Sequence, residues 1–252
     1  DIKTTTEELI TSAMNMGLMI NEGKTKYMIV KRGNQLHQNR SLNIGNYCFE
    51  KVESFKYLGV NINSHNNYHE EINQRVKAGN RCYFALQKTF GSKLLSKKSK
   101  MRLYKVLVRP VILYACETWP TSKEDERKLA VLERKFLRRI FGPKKNDQTG
   151  EYEIRSNKEI KNLLGEEDII QTLKGRKMSW FGHVWRSNGI MKDALKWKPE
   201  GKRPLGRPKK RWIDEPNQFF RLLGVDNPEE LANEREEWRR LCGAVMGLNG
   251  LQ

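Results

Sequence analysis

Closely spaced cysteine is the first thing missing from this chain. Cys48, Cys82, Cys116 and Cys242 stand at least 34 positions apart, with no Cys-x-x-Cys pair and no histidine at zinc-knuckle spacing. That excludes a disulfide scaffold and a compact zinc site, and it suits a reducing compartment. No run of 18 apolar residues occurs and no signal-peptide pattern is found, so neither a membrane partner nor secretion is expected. The expected setting is intracellular, nuclear and cytoplasmic. Acid is also short: 30 Asp and Glu against 48 Lys and Arg leave a formal net charge of +18. Such an imbalance points to polyanionic partners and away from a small-molecule enzyme.

What is present is enough apolar material for a core, with 37% hydrophobic residues and six tryptophans among 252 residues. The length allows one large or two small domains. Charge is unevenly spread. Residues 72–145 carry 20 basic and 5 acidic residues and residues 198–211 carry 7 and 1, whereas residues 1–71 are balanced at 8 and 8.

Along the chain, Thr4 with Glu7 reads as a capping box opening a helix with an apolar stripe at Leu9, Ile10, Ala13 and Met14. Runs rich in β-branched and aromatic residues follow at Tyr27 to Lys31, Leu42 to Phe49 and Phe55 to Ile62, each read as one strand. From about Asn67 the periodicity is helical, with Pro110 marking a kink or break. A helix is predicted from Ser122, capped with Asp125, to Gly142-Pro143. A short helix capped by Ser156 and Glu159, a longer one from about Asp168 to Ser187, a Pro/Gly-rich basic linker and two further helices complete the reading, the last opening at Asn227-Pro228.

Several strings resemble a known family. NEGKTKYM at Asn21 to Met28 and FKYLGV at Phe55 to Val60 are similar to the segment just downstream of the catalytic carboxylates in non-LTR retrotransposon reverse transcriptases. RPVILYACETW at Arg109 to Trp119 resembles their thumb, closest to the RTE group. LKGRKMSWFGHVWR at Leu173 to Arg186 and GRPKKRWID at Gly206 to Asp214 resemble their carboxy-terminal region. The resemblance implies an α+β fold: a small palm-remnant β-sheet with one helix, then a mostly α-helical thumb and a helical C-terminal domain. The corresponding division is a partial palm at residues 1–66, a thumb at 67–145, a helical region at 146–197, the basic linker at 198–211 and C-terminal helices at 212–252.

The family clamps two divalent cations with an Asp-Asp hairpin and one earlier Asp, because in-line phosphoryl transfer needs both attacking and leaving oxygens held by metal. No adjacent Asp-Asp occurs here. The chain by itself is therefore expected not to polymerise and to bind no cofactor, with Mg2+ expected only in the full-length polymerase. The partners implied are RNA and DNA, as template/primer hybrid and target DNA, together with upstream polymerase and endonuclease regions.

By the resemblance, Lys24 and Lys26 map onto the lysines of a palm motif beside the incoming nucleotide. Lys24 there could act as a general acid toward pyrophosphate; the alternative is an exposed strand-edge lysine. Gly59 would let a nucleic-acid backbone come close, or else form a bulge. The helix from Ser122 carries the clearest signal. At 100° per residue Arg127, Lys128, Arg134, Lys135, Arg138 and Arg139 fall within about 140°, beside an apolar arc of Leu129, Leu132, Phe136 and Ile140. One face packs and the other offers phosphate ligands; a solvated charged face usually mixes signs, and only Glu133 is counted against the basic side here.

On the helix near Asp168 to Ser187, Arg176, His183 and Arg186 share a face with Gly175 and Gly182, where a phosphate could approach or a neighbour could pack. Its Trp and Phe side chains read as core, and His183 reads poorly as a metal ligand. In Lys198 to Arg211, the cations Lys202, Arg203, Arg207, Lys209, Lys210 and Arg211 resemble an AT-hook. Leu205, however, replaces the first Arg of its core, which favours a nonspecific phosphate tether or nuclear-import signal. Trp212 is expected to dock into the core. Two other readings remain open: a host-retained nucleic-acid-binding or protein-interaction module derived from such an element, and a sequence-specific DNA reader built on Asp168 to Phe220.

Overall fold

The computed structural model describes residues 1–30, 41–197 and 210–248. The fold is α+β, mostly helical with small sheets, as the sequence leads one to expect. The chain forms two compact units, Asp1–Glu71 and Ile72–Gln252.

The first unit opens with α1 (Ile2–Asn15), capped by Asp1 rather than Thr4: the Asp1 carboxylate accepts from the Lys3 backbone N–H at 3.3 Å. Nothing on α1 is buried. Each predicted strand is shorter or divided. β1 is only Lys26–Tyr27, and the Leu42 to Phe49 run splits into β2 (Ser41–Ile44) and β3 (Tyr47–Lys51), antiparallel in register Ile44↔Tyr47. β1 adds parallel to β3, giving sheet order β1-β3-β2. The Phe55 to Ile62 run is likewise a hairpin, β4 (Ser54–Tyr57) and β5 (Val60–Asn63). Its two turn residues, Leu58 and Gly59, have φ 47 and 83. Positive φ at both central positions matches the twist of the flanking strands, so the turn reverses the chain in two residues.

That hairpin is tied by polar bonds to the first turn of α2 (Tyr68–Gly91). Glu71 accepts from the Asn61 backbone N–H at 2.7 Å, and the Asn63 amide donates to Glu70 at 2.9 Å.

In the second unit, α2 continues to Gly91, α3 (Lys97–Leu103) starts at the Ser96 cap, and Tyr104–Val108 widens into a π-helical turn before α4 (Arg109–Ile112). Pro110 lies in the first turn of α4, where its missing N–H costs no helical bond; the break expected at Pro110 is taken up by the π turn ahead of it. α5 (Lys123–Phe141) has the predicted capping box between Ser122 and Asp125 and stops at Gly142, φ 72. A small hairpin, β6 (Lys144–Lys145) with β7 (Tyr152–Glu153), occupies the loop that follows.

α6 (Asn157–Leu164) and α7 (Ile169–Arg186) both have reciprocal caps, Ser156 with Glu159 and Asp168 with Gln171. α8 (Ile190–Lys196) and α9 (Asp214–Leu222) follow. The single closing helix expected after Asn227 is two, α10 (Pro228–Asn233) and α11 (Arg235–Gly247), broken where Glu234 turns extended at φ −87, ψ 92.

Two apolar clusters hold this unit. One centres on Phe136 of α5, whose ring meets Tyr83, Phe90 and Tyr104 at centroid distances of 5.2–5.8 Å. The other centres on Phe181 of α7, packed by Trp185, Trp212, Phe220 and Trp238. Trp212 docks as expected, its indole N–H donating to the Glu117 carbonyl at 2.7 Å. α7 contributes Leu173 to the first cluster and Phe181 to the second.

Candidate nucleic-acid interface

The basic side of α5 is built as the sequence suggests, but its cations are partly occupied. Lys128 and Lys135, one heptad apart, reach toward α2, donating to Asn73 at 3.4 Å and Asn80 at 2.8 Å. The Lys135 ammonium also lies 4.2 Å from the Tyr83 ring centroid and 4.8 Å from that of Phe84, a desolvating aromatic contact. Arg139 lies against Gly91, where a Cβ would overlap its guanidinium. On the other edge Arg138 donates to the Arg155 carbonyl at 3.3 Å and to Asn157 at 2.6 Å. Arg127 pairs with Glu124 one turn before it, at 2.9 Å and fully in water. Half-buried Arg134 makes no hydrogen bond or ion pair among the described residues. All six flank one helix, yet the α5 stripe is a braced edge more than an open comb of phosphate ligands.

Glu133 does not interrupt the basic side. It is buried on the apolar side, pairing with Arg109 at 2.9 Å and accepting from the Tyr104 hydroxyl and the Ile169 backbone N–H, each at 2.8 Å. Burial first, then the Glu133 carboxylate, push the Tyr104 phenol well above its ordinary pKa, so it stays a neutral donor. A second buried pair joins Lys177 of α7 to Glu215 of α9 at 2.6 Å, with Lys210 on the same carboxylate at 3.4 Å. Neither pairing is read from the sequence, where Glu133 counts only as an interruption of the basic face and Lys210 as a linker cation. The signal exists: at 100° per residue Glu133 and Lys177 each fall inside an apolar arc, where a charge requires a partner.

The glycines of α7 are packing notches, not openings for a phosphate. A Cβ at Gly175 would stand 2.5 Å from the Met246 sulfur, and one at Gly182 would overlap the Trp238 indole; both neighbours belong to α11. Arg176 is exposed and donates to the Leu113 carbonyl at 3.2 Å, while Arg186 donates to the Ala232 carbonyl at 2.7 Å, the last turn of α10.

In the first unit Lys24 stands exposed in the turn before β1, its backbone N–H donating to Asn21 at 3.0 Å. Lys26 is paired across β1 and β3 with Glu50 at 2.7 Å. Gly59 is a hairpin-turn residue, not a bulge in a continuous strand. Of the linker cations, Lys202, Arg203, Arg207 and Lys209 lie outside the described residues. Lys210 turns inward to Glu215 and the Thr121 carbonyl, and Arg211 pairs with Asp214 at 3.5 Å.

The most open cationic surface among the described residues is one the sequence reading passes over. Between Glu71 and Glu117 there is no acidic residue and there are 11 Lys and Arg. Lys77, Arg81, Lys88, Lys93, Lys97, Lys98 and Arg102 are all exposed, and none of their side chains makes a hydrogen bond or ion pair among the described residues. Lys77, Arg81 and Lys88 recur at i, i+4 and i+11, so they lie within about 40° on one face of α2. Phe84, 65% exposed, sits on that stripe beside them. The absence of intervening acid was the available signal.

Among the described residues no three His, Cys, Asp or Glu side chains come together as a metal site, and no helix is long and apolar enough to cross a membrane.

These features define a basic, mostly helical α+β protein whose positive charge is concentrated on its second unit. No protein-family model matches the chain, and no solved structure matches it. It is similar to a Caenorhabditis elegans protein named as an uncharacterized transposon-derived protein, 28% identical over 244 residues, which cover 92% of this chain and 85% of that one. The similarity supports a transposon-derived origin, and its coverage takes in both units.

Proposed function

We propose that the second unit grips nucleic acid through its phosphates, and that the chain is the end of the palm, the thumb and the C-terminal region of a non-LTR retrotransposon reverse transcriptase, without the catalytic aspartates. The observation that carries this reading is the cationic surface of α2 beyond Glu71, of α3 and of the loop between them. Seven exposed cations with no carboxylate partner among the described residues leave their charge available, and a polyanion is the partner that uses it. Exposed Phe84 amid that charge adds a face on which a base can stack. The α5 cations brace the same region and add charge to it. The motif order from Asn21 to Asp214 and the transposon-derived relative support the polymerase origin. The donors in hand do not fit the pair of divalent ions such a polymerase uses, since no adjacent Asp-Asp occurs.

Binding of a fluorescent RNA–DNA hybrid, read by anisotropy, tests the reading. Lys77→Gln/Arg81→Gln/Lys88→Gln together should weaken binding equally for random and defined sequences and lower the salt slope by about 0.9 for each phosphate that is no longer neutralised. Unchanged affinity contradicts it.

A second reading, a host-retained module acting without a polymerase, is favoured by one observation: the matched region covers 85% of the relative, which leaves that protein little other chain. Transcript sequence ahead of Asp1 separates the two. A continuous frame carrying the Asp pair supports the polymerase, and a host exon supports the module.

A further inference from the structure

We infer that the cavity between the second half of α7 and the first turns of α11 is a binding site for a phosphate group. It does not rest on the grip proposed for α2 and α5, since other elements build it. The cavity is open to solvent and measures about 510 Å³, room for a phosphate together with the sugar that carries it. His183 and Arg186 line it from α7, Arg235 and Arg239 from α11, and no carboxylate lines it.

The charges differ in how far they are already committed. Arg239 is neutralised by Glu236 one turn before it, at 2.6 Å. Arg186 is anchored instead on a carbonyl, that of Ala232, which fixes the guanidinium without cancelling its charge. The side chains of Arg235 and His183 are exposed and make no hydrogen bond or ion pair among the described residues. One guanidinium with a free fork, a second held through one of its nitrogens on a carbonyl, and an imidazole with an N–H thus line one hollow, and planar forks suit the paired oxygens of a phosphate.

The floor is fixed independently of any ligand. The Trp238 indole N–H is spent on the Met178 carbonyl at 3.0 Å, and Gly182 lets that ring lie flat against α7. Cys242, also in the lining, is held neutral by burial, which pushes its thiol up to about 11. Ser187 donates its hydroxyl to the Val184 carbonyl at 2.7 Å, while the Ser179 hydroxyl is uncommitted among the described residues and can donate. The polar groups left to act on a ligand can therefore all donate, and no carboxylate lining the cavity opposes an anion.

The chain has four histidines, so the ring signals of His183 can be followed by NMR on the full chain and assigned with His183→Gln. Inorganic phosphate, titrated against chloride of equal ionic strength, should shift the His183 signals saturably and leave those of His65 and His69 in place. Arg235→Ala, whose side chain makes no bond within the described fold, should raise the half-saturating concentration at least about tenfold. Arg186→Lys, keeping charge and losing the fork, should fall between.

A larger response to a 5′-phosphorylated than to a 5′-hydroxyl dinucleotide would assign the phosphate to a strand end. Equal responses that both vanish in Arg235→Ala would assign it to the strand interior. Either supports the site. The triple variant of Lys77, Arg81 and Lys88 should leave the His183 response intact, so failure of the nucleic-acid grip and failure of this site are told apart. His183 moving in step with the other histidines without saturation, or an Arg235→Ala protein that responds like the parent, overturns the proposal.

Discussion

The two units spend their hydrophobic residues differently. Among the described residues of 1–71 only Ile44 and Phe49 are buried apolar side chains, α1 buries nothing, and Leu9, Met14, Leu18 and Met19 are more than half exposed. The second unit closes two aromatic clusters around α5 and α7 and takes two ion pairs into them. The comparison teaches where rigidity comes from. Cations on α2, α3 and α5 can be presented in fixed positions because the opposite sides of α2 and α5 are locked by Phe90, Phe136 and their neighbours. The first unit relies on hairpin turns and polar ties instead.

The contrast is open to direct attack, since all six tryptophans lie beyond residue 71 and report on the second unit alone. The largest effect is expected from Lys177→Met, which leaves buried Glu215 with only the more exposed Lys210 as a charge partner and should cost about 3 kcal/mol in urea unfolding followed by tryptophan emission. A loss near zero would mean the pair is solvated. The same carboxylate gives a pH signature. Burial alone would raise the pKa of Glu215, but Lys177 and then Lys210 outweigh it and hold it below its ordinary 4.5. Its stabilisation is therefore complete above that value and drains away as pH falls through the lower folded value. Glu215→Gln should flatten that acid limb of the stability curve.

Smaller effects sharpen the difference. Gly182→Ala drives a methyl into the Trp238 indole and should cost about 1–3 kcal/mol through overpacking. Gly45→Ala in the first unit meets no neighbour within 4 Å and pays only for its left-handed φ of 55, about 1 kcal/mol. Hydrogen exchange of the β2 and β3 amides would read it. Smallest of all, Lys26→Met removes the solvent-exposed pair with Glu50 and should leave the same exchange nearly unchanged. A larger loss there would place a structural anchor where none is expected.

Features fixed by neighbours in sequence were legible before the fold: the capping boxes at Ser122 and Ser156, the start of α7 at Asp168, and the stop at Gly142. The basic arc of α5 was legible too, because helical angle follows from spacing. What that arc touches was not. Angle alone does not say that Lys128 and Lys135 meet Asn73 and Asn80, that Gly175 and Gly182 face α11, or that Lys177 finds Glu215 across 38 positions. Strand limits escape such reading because β-branched and aromatic residues run on through the turns at Gly45 and Leu58-Gly59, where backbone conformation decides. The α2 stripe was readable from its acid-free stretch, but charge at the edges of an apolar pattern draws less notice than the pattern.

The account's central claim is that the helices of the second unit hold phosphates, and the salt dependence of binding tests it most directly. If about six phosphates are engaged, a plot of log affinity for an RNA–DNA hybrid against log salt should fall with a slope near about −5. An affinity that does not change with salt would contradict it.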